Sequence, residues 1–221
     1  MEIYRVIKKR KYYTMVLSDN KEVKVLIKVF DNYETLYKGD GNGFKIDDET
    51  WNFIFEDSLR TDAYQKCLNL IMKRRKTSRE IIFYLKVRGF PDNVIDDTLE
   101  KLKKQSLIDD SVYITDFIEY QKQEMLLSRL FIKQKLIRKI GFDYKIEYEF
   151  DMLYPQEDEV DTGFKLLERK HYLQKIREID KEKNDPEYIN RKKEIVQECI
   201  KYLQKKGFHF RSITEIKNLL F

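Results

Sequence analysis

A chain of 221 residues sets 44 Lys and Arg against 39 Asp and Glu, a net charge of only +5, and 38% of its side chains are charged. With 42% hydrophobic content it can fold, and its mild basicity suits an acidic partner or nucleic acid without requiring either. Two cysteines are too few for a disulfide framework, and no apolar run reaches the length of a membrane span, so a cytoplasmic protein without membrane contact is expected.

Residues 1–60 differ from the rest. Val23, Val25, Ile27 and Val29 alternate with Lys24, Leu26 and Lys28, the period of two that predicts a strand. Tyr13, Met15 and Leu17 alternate in the run before, and Ser18-Asp19-Asn20 between them supplies turn chemistry for a hairpin. Gly39, Gly41 and Gly43 cluster next. No GK[ST] ending follows them, so a turn is expected there rather than a phosphate loop. A helix around Thr50–Phe55 should join this β module to the helical remainder of the chain.

From Asp62 the helical period takes over. A first helix is expected near Ala63–Lys73. Thr77-Ser78-Arg79-Glu80 then reads as a capping box opening a second, whose Ile81, Ile82 and Leu85 lead to Gly89. Pro91-Asp92-Asn93 opens a third, with Ile95, Leu99 and Leu102. The order recurs as Val112, Tyr113 and Phe117, then Ile132, Leu136 and Ile140, then Ile146, Phe150 and Leu153. It recurs again as Phe164 and Leu167, then Ile195, Cys199 and Leu203, then Ile213, Ile216 and Leu220. Each second helix stops at Gly-Phe: Gly89-Phe90, Gly141-Phe142 and Gly207-Phe208. Glycine in the left-handed conformation ends a helix without a Cβ clash, and the apolar residue after it folds back over the last turn. The glycines are 52 and 66 residues apart, and the 14 extra residues are placed in the charged stretch Glu178–Pro186.

The predicted fold is mainly α, a tandem array of three three-helix repeats with a small N-terminal β-rich module. Boundaries are expected at 1–60, 61–109, 110–159 and 160–221, segments with net charges of 0, +4, −4 and +5. Such arrays present extended surfaces to other macromolecules more readily than they build catalytic pockets.

Catalytic chemistry is not written in the chain. His171 and His209 stand alone, neither CxxC nor HExxH occurs, and Cys199 lies four residues from both Ile195 and Leu203, as a core thiol would. No enzyme activity, metal or cofactor is expected. Basic clusters are the candidates for binding a phosphate or an acidic partner. They are Lys73, Arg74, Arg75, Lys76 and Arg79, then Arg88, then Arg138 and Lys139, then Lys205, Lys206 and Arg211. Cations near a helix C-terminus also complement its dipole, so each has a purely structural reading as well.

Three elements of the first unit carry a resemblance. They are Lys73-Arg74-Arg75-Lys76-Thr77-Ser78-Arg79-Glu80, Leu85-Lys86-Val87-Arg88-Gly89-Phe90 and Leu107-Ile108-Asp109-Asp110-Ser111-Val112-Tyr113. In that order they resemble the RecX family, bacterial regulators of the RecA recombinase, over residues 62–221 and most strongly over 62–117. The resemblance implies three tandem three-helix repeats in a monomer whose partner is the RecA filament on single-stranded DNA, with direct DNA contact left open. It implies a regulator that limits filament extension, strand exchange and coprotease activity. The alternative is a stand-alone helix-turn-helix-like DNA-binding protein.

Overall fold

The computed structural model describes residues 1–36, 42–141 and 144–221, in two compact units, Met1–Asp109 and Asp110–Phe221. The first begins with β1 (Glu2–Lys8), β2 (Tyr12–Leu17) and β3 (Glu22–Leu26). A short helical turn α1 (Ile27–Phe30) follows, then β4 (Asn42–Lys45). The strands pair antiparallel in the order β3-β2-β1-β4.

The expected hairpin is β2–β3, with Tyr13 opposite Val25 and Met15 opposite Val23. Its turn uses the predicted residues: Asn20 has φ 63°, and the Asp19 carboxylate accepts from the Lys21 N–H at 3.1 Å. The strand stops at Leu26, short of the expected Val29. Val29 and Phe30 are both buried, and a helical turn can bury two adjacent side chains that a strand would send to opposite faces.

Sequence periodicity did not reveal β1. Its buried residues Ile3 and Val6 are three apart, because the pairing with β2 shifts register between Ile3 and Arg5 and breaks the period of two. Gly43 lies in β4 where a Cβ would sit 2.2 Å from the Ile3 carbonyl oxygen, so only glycine allows this close pairing. Gly39 and Gly41 of the expected turn lie outside the described residues.

The joining helix and the first repeat helix are a single helix, α2 (Asp48–Ile71), which runs through residues 60 and 61. Trp51 and Ile54 complete the core under the sheet, while Ala63 and Cys67 pack with α3 (Ser78–Lys86) and α4 (Asp92–Lys104). At 3.6 residues per turn these two buried sets point roughly opposite ways around the helix axis. That swap of face makes one helix read as two in sequence. The capping box is present: Thr77 Oγ1 accepts from the Glu80 N–H at 3.2 Å, and the Glu80 carboxylate accepts from the Thr77 N–H at 3.3 Å.

The second unit contains α5 (Asp110–Gln123), α6 (Arg129–Ile140) and α7 (Tyr144–Leu153). It continues with α8 (Asp158–Arg169), α9 (Tyr172–Ile179), α10 (Tyr188–Lys205) and α11 (Phe210–Leu220). On α5 the buried residues are Ile114, Ile118 and Gln121, and Val112 is exposed. The surplus expected in Glu178–Pro186 is instead largely the helix α9, which buries Ile176 and Ile179. The connection after it is fastened by Asp180, which accepts from Lys192 Nζ at 2.9 Å and Tyr188 Oη at 2.8 Å. These partners hold the Asp180 carboxyl below the usual carboxylate range, the Lys192 hydrogen bond most of all.

The three glycines of the repeated phrase all have positive φ: 76° at Gly89, 93° at Gly141 and 73° at Gly207. At Gly89 and Gly207 the fold-back matches, with the Phe90 N–H bonded to the Leu85 carbonyl and the Phe208 N–H to the Leu203 carbonyl. Gly141 departs from them with an extended ψ of 179°, and Phe142 lies outside the described residues.

Candidate partner-binding surface

In the first unit the candidate cations gather at the α2–α3 turn. Lys73, Arg74 and Arg75 are exposed in the turn, and Arg79 is exposed in the first turn of α3. Lys76 was expected among them but is only 8% exposed, with Nζ 4.0 Å from a Glu80 carboxylate oxygen. Arg74 reaches the same oxygen at 3.8 Å. The capping-box Glu80 therefore draws two of the cations, Arg74 and Lys76, towards the helix start. Arg88 lies at the other end of α3. It donates to the Tyr84 carbonyl at 3.1 Å, and its guanidinium stacks 3.6 Å from the centre of the Tyr84 ring.

Sequence periodicity missed what stands beside them. Phe83 is 70% exposed and Val87 66%. With Arg79 they follow at intervals of four, so one face of α3 carries a cation and two uncovered apolar side chains. The available signal was that Phe83 and Val87 fall off the stripe made by Ile81 and Leu85.

In the second unit Lys205, Lys206 and Arg211 flank the turn between α10 and α11. Lys205 and Arg211 are exposed, and Lys206 is half-buried with Nζ 5.6 Å from the centre of the Tyr202 ring. Beside this turn opens a cleft of about 480 Å³ lined by Arg129, Leu130, Phe150, Gln156, Phe208 and Phe210, among others. At its base Glu159 is fully buried. It accepts from the Arg129 N–H at 2.9 Å, the His209 N–H at 3.0 Å, Ser212 Oγ at 2.8 Å and Gln156 Nε2 at 3.1 Å. One carboxylate thus sits at the starts of α6, α8 and α11, where three sets of backbone N–H groups favour negative charge. Arg138 and Lys139 belong to a different place. They end α6, and Arg138 is roughly 14 Å along the helix from Arg129 at 1.5 Å per residue.

His171 is exposed at the α8–α9 junction with φ 62°, and His209 caps α11 by accepting the Arg211 N–H on Nδ1 at 3.2 Å. Cys67 and Cys199 are buried free thiols, each pushed up to about 11 by desolvation. Among the described residues no group of three or more His, Cys, Asp or Glu is placed to hold a metal ion. No helix among them is long and apolar enough to cross a membrane.

A family model described as RecX, first three-helix domain, matches residues 63–102, from the second half of α2 to the end of α4 apart from its last residues. The chain is similar to the regulatory protein RecX of Clostridium perfringens, 30% identical over 159 residues that cover 70% of this chain and 68% of that one. It is similar to the regulatory protein RecX of a Geobacillus species, 26% identical over 128 residues. That match spans 58% of this chain and only 46% of the relative, less than half its length. A crystal structure of regulatory protein RecX shares the fold with a TM-score of 0.58 and 23% identity, across 99% of this chain and 100% of that one. The helical order, the matched first three-helix domain and the breadth of the Clostridium match together assign this chain to the RecX family.

Proposed function

We propose that this chain regulates the RecA recombinase, binding along the RecA filament on single-stranded DNA and limiting its extension, strand exchange and coprotease activity. The observation that carries this reading is the coincidence of the family match over 63–102 with the exposed, cation-rich α2–α3 turn. The division that goes with it is a sheet-bearing part over 1–60 and three helical blocks over 61–109, 110–159 and 160–221. Each basic turn alone is a weak contact, and several on one chain bind together more tightly than any one of them. The reading needs no cofactor or catalytic step, and it takes the chain to be a cytoplasmic monomer.

A stand-alone major-groove reader would want Arg, Asn or Gln exposed along one helix to meet base edges. The outward face of α3 offers one such residue, Arg79, beside Phe83 and Val87, which suits a protein partner better. The test is to titrate the protein onto preformed RecA filaments and follow ATP hydrolysis and strand exchange. Both should fall, less so at high salt, and reversing the charges of Lys73, Arg74 and Arg75 should weaken the effect. Unchanged ATP hydrolysis and strand exchange would defeat the proposal.

A further inference from the structure

The net charge of zero over residues 1–60 hides a strong separation. Residues 1–30 carry eight basic and three acidic side chains, and residues 31–60 carry three and eight. The basic half is concentrated further by the fold. Lys8, Lys9, Arg10 and Lys11 form the tip joining β1 to β2, all four exposed. The Ile27 N–H bonds to the Lys11 carbonyl at 3.1 Å, which brings α1 and the exposed Lys28 alongside, and Lys24 is exposed in the middle of β3, opposite Thr14. None of these six has a carboxylate within ion-pair distance among the described residues.

Two structural reasons fail for the tip itself. Lysines often protect the open edge of a sheet, a role that fits Lys24 on the outer strand β3, but Lys9, Arg10 and Lys11 lie beyond the paired strands, between β1 and β2. Turn formation does not ask for them either. The tip closes through the Lys9 N–H to the Tyr12 carbonyl at 2.9 Å, with Arg10 and Lys11 between them outside the left-handed region, a geometry open to most residues. The β2–β3 turn of the same sheet does use Asp19 and Asn20. One turn is built from turn formers, and the other accepts four neighbouring like charges that repel one another.

We infer that the β1–β2 tip, with Lys24 and Lys28, is a binding site for the phosphodiester backbone of nucleic acid. Backbone contacts come chiefly from solvated Lys and Arg and need no apolar anchor. An acidic protein surface would want a buried aromatic or aliphatic anchor among the charges. Among residues 1–33 the one large hydrophobic side chain left exposed is Tyr4, on β1 four residues before Lys8. Tyr12, beside the tip, is engaged instead with Asp62 at 2.9 Å and Lys66 at 3.0 Å. The site lies outside residues 63–102 and does not depend on the filament reading.

The test needs no recombinase. Fluorescence anisotropy of a short labelled oligo(dT) strand and of a labelled duplex is recorded over a salt series. The wild type is compared with a variant carrying Lys8→Gln, Lys9→Gln, Arg10→Gln and Lys11→Gln, its fold checked by circular dichroism. The variant should bind at least one probe about tenfold or more weakly, and its salt slope should be smaller by about 0.7 per lost contact on the single strand. A photoreactive oligo(dT) should crosslink to the tip in the wild type, which keeps the site testable if the variant misfolds. Equal affinity and slope for both proteins on both probes would overturn the inference. So would no binding by the wild type, or a loss seen only with a poly-glutamate peptide. Failure of the RecA titration with this site intact would defeat the filament reading alone.

Discussion

In Met1–Asp109 the helix stop at Gly89 stands in open space, with no atom within 4 Å of where a Cβ would be. In Asp110–Phe221 the matching stop at Gly207 would bring a Cβ to 2.8 Å from the Phe131 ring and 3.2 Å from Ser128 Oγ. Two residues on, the His209 N–H bonds to the buried Glu159. The backbone bonds that define the stop are the same in both places. The first is therefore a local device that ends a helix. The second also closes a joint, locking the start of α6 against the turn from α10 to α11. A shared phrase specifies shared backbone geometry, and the energy it controls depends on what the fold places against it.

The largest effect should follow from removing the carboxylate at that joint. Glu159→Ala removes the acceptor shared by four donors from three segments, of which, among the described residues, only Gln156 keeps another partner, Ser212 Oγ, and the cost expected is about 3–5 kcal/mol, read from urea unfolding. A loss below about 1 kcal/mol would show that water replaces the carboxylate and that the joint is soft. Next come the glycines themselves. Gly89→Ala pays only for the left-handed backbone, about 1–2 kcal/mol. Gly207→Ala adds the clash with Phe131, for about 2–4 kcal/mol altogether. Equal losses would remove the distinction between stop and joint. Smaller again, Thr77→Ala removes the cap of α3 and should cost about 1 kcal/mol in thermal unfolding.

What the sequence made legible was local. The capping box at Thr77, the proline-led start of α4 and the helix stops at Gly89 and Gly207 depend on residues within a few positions, and they were readable for that reason. The β2–β3 hairpin was readable because alternation and turn chemistry agree there. What escaped depends on distant neighbours. The face of α2 that is buried changes because the sheet claims its first half and α3 with α4 its second. The strand β1 is irregular where it meets β2, and β4 is short and held by β1. For the candidate surface, sequence marked the basic turns. It could not show that Lys76 folds inward, that Phe83 and Val87 face outward, or that Glu159 gathers three helix starts.

The two units also hold one thiol each, which gives a comparison on a finer scale. Burial pushes Cys67 on α2 and Cys199 on α10 from 9.0 to about 11. The charges near them differ: Arg88 draws Cys67 back down, whereas Glu198 pushes Cys199 further up. Between about pH 9 and pH 11 the unfolded chain loses these protons while the folded chain keeps them, so the unfolded state binds fewer protons. Stability attributable to the thiols is therefore complete below about pH 9, declines as pH rises and levels off above about pH 11. Other groups titrate in the same range, so the informative quantity is the difference between proteins. Urea midpoints measured at about pH 8 and about pH 10 should fall less in Cys67→Ala and in Cys199→Ala than in the wild type. Arg88→Gln should steepen the fall by raising Cys67, and Glu198→Gln should flatten it by lowering Cys199. Identical slopes in all five proteins would mean that both thiols reach water in the folded state, and that neither core is as closed as the packing around Cys67 and Cys199 implies.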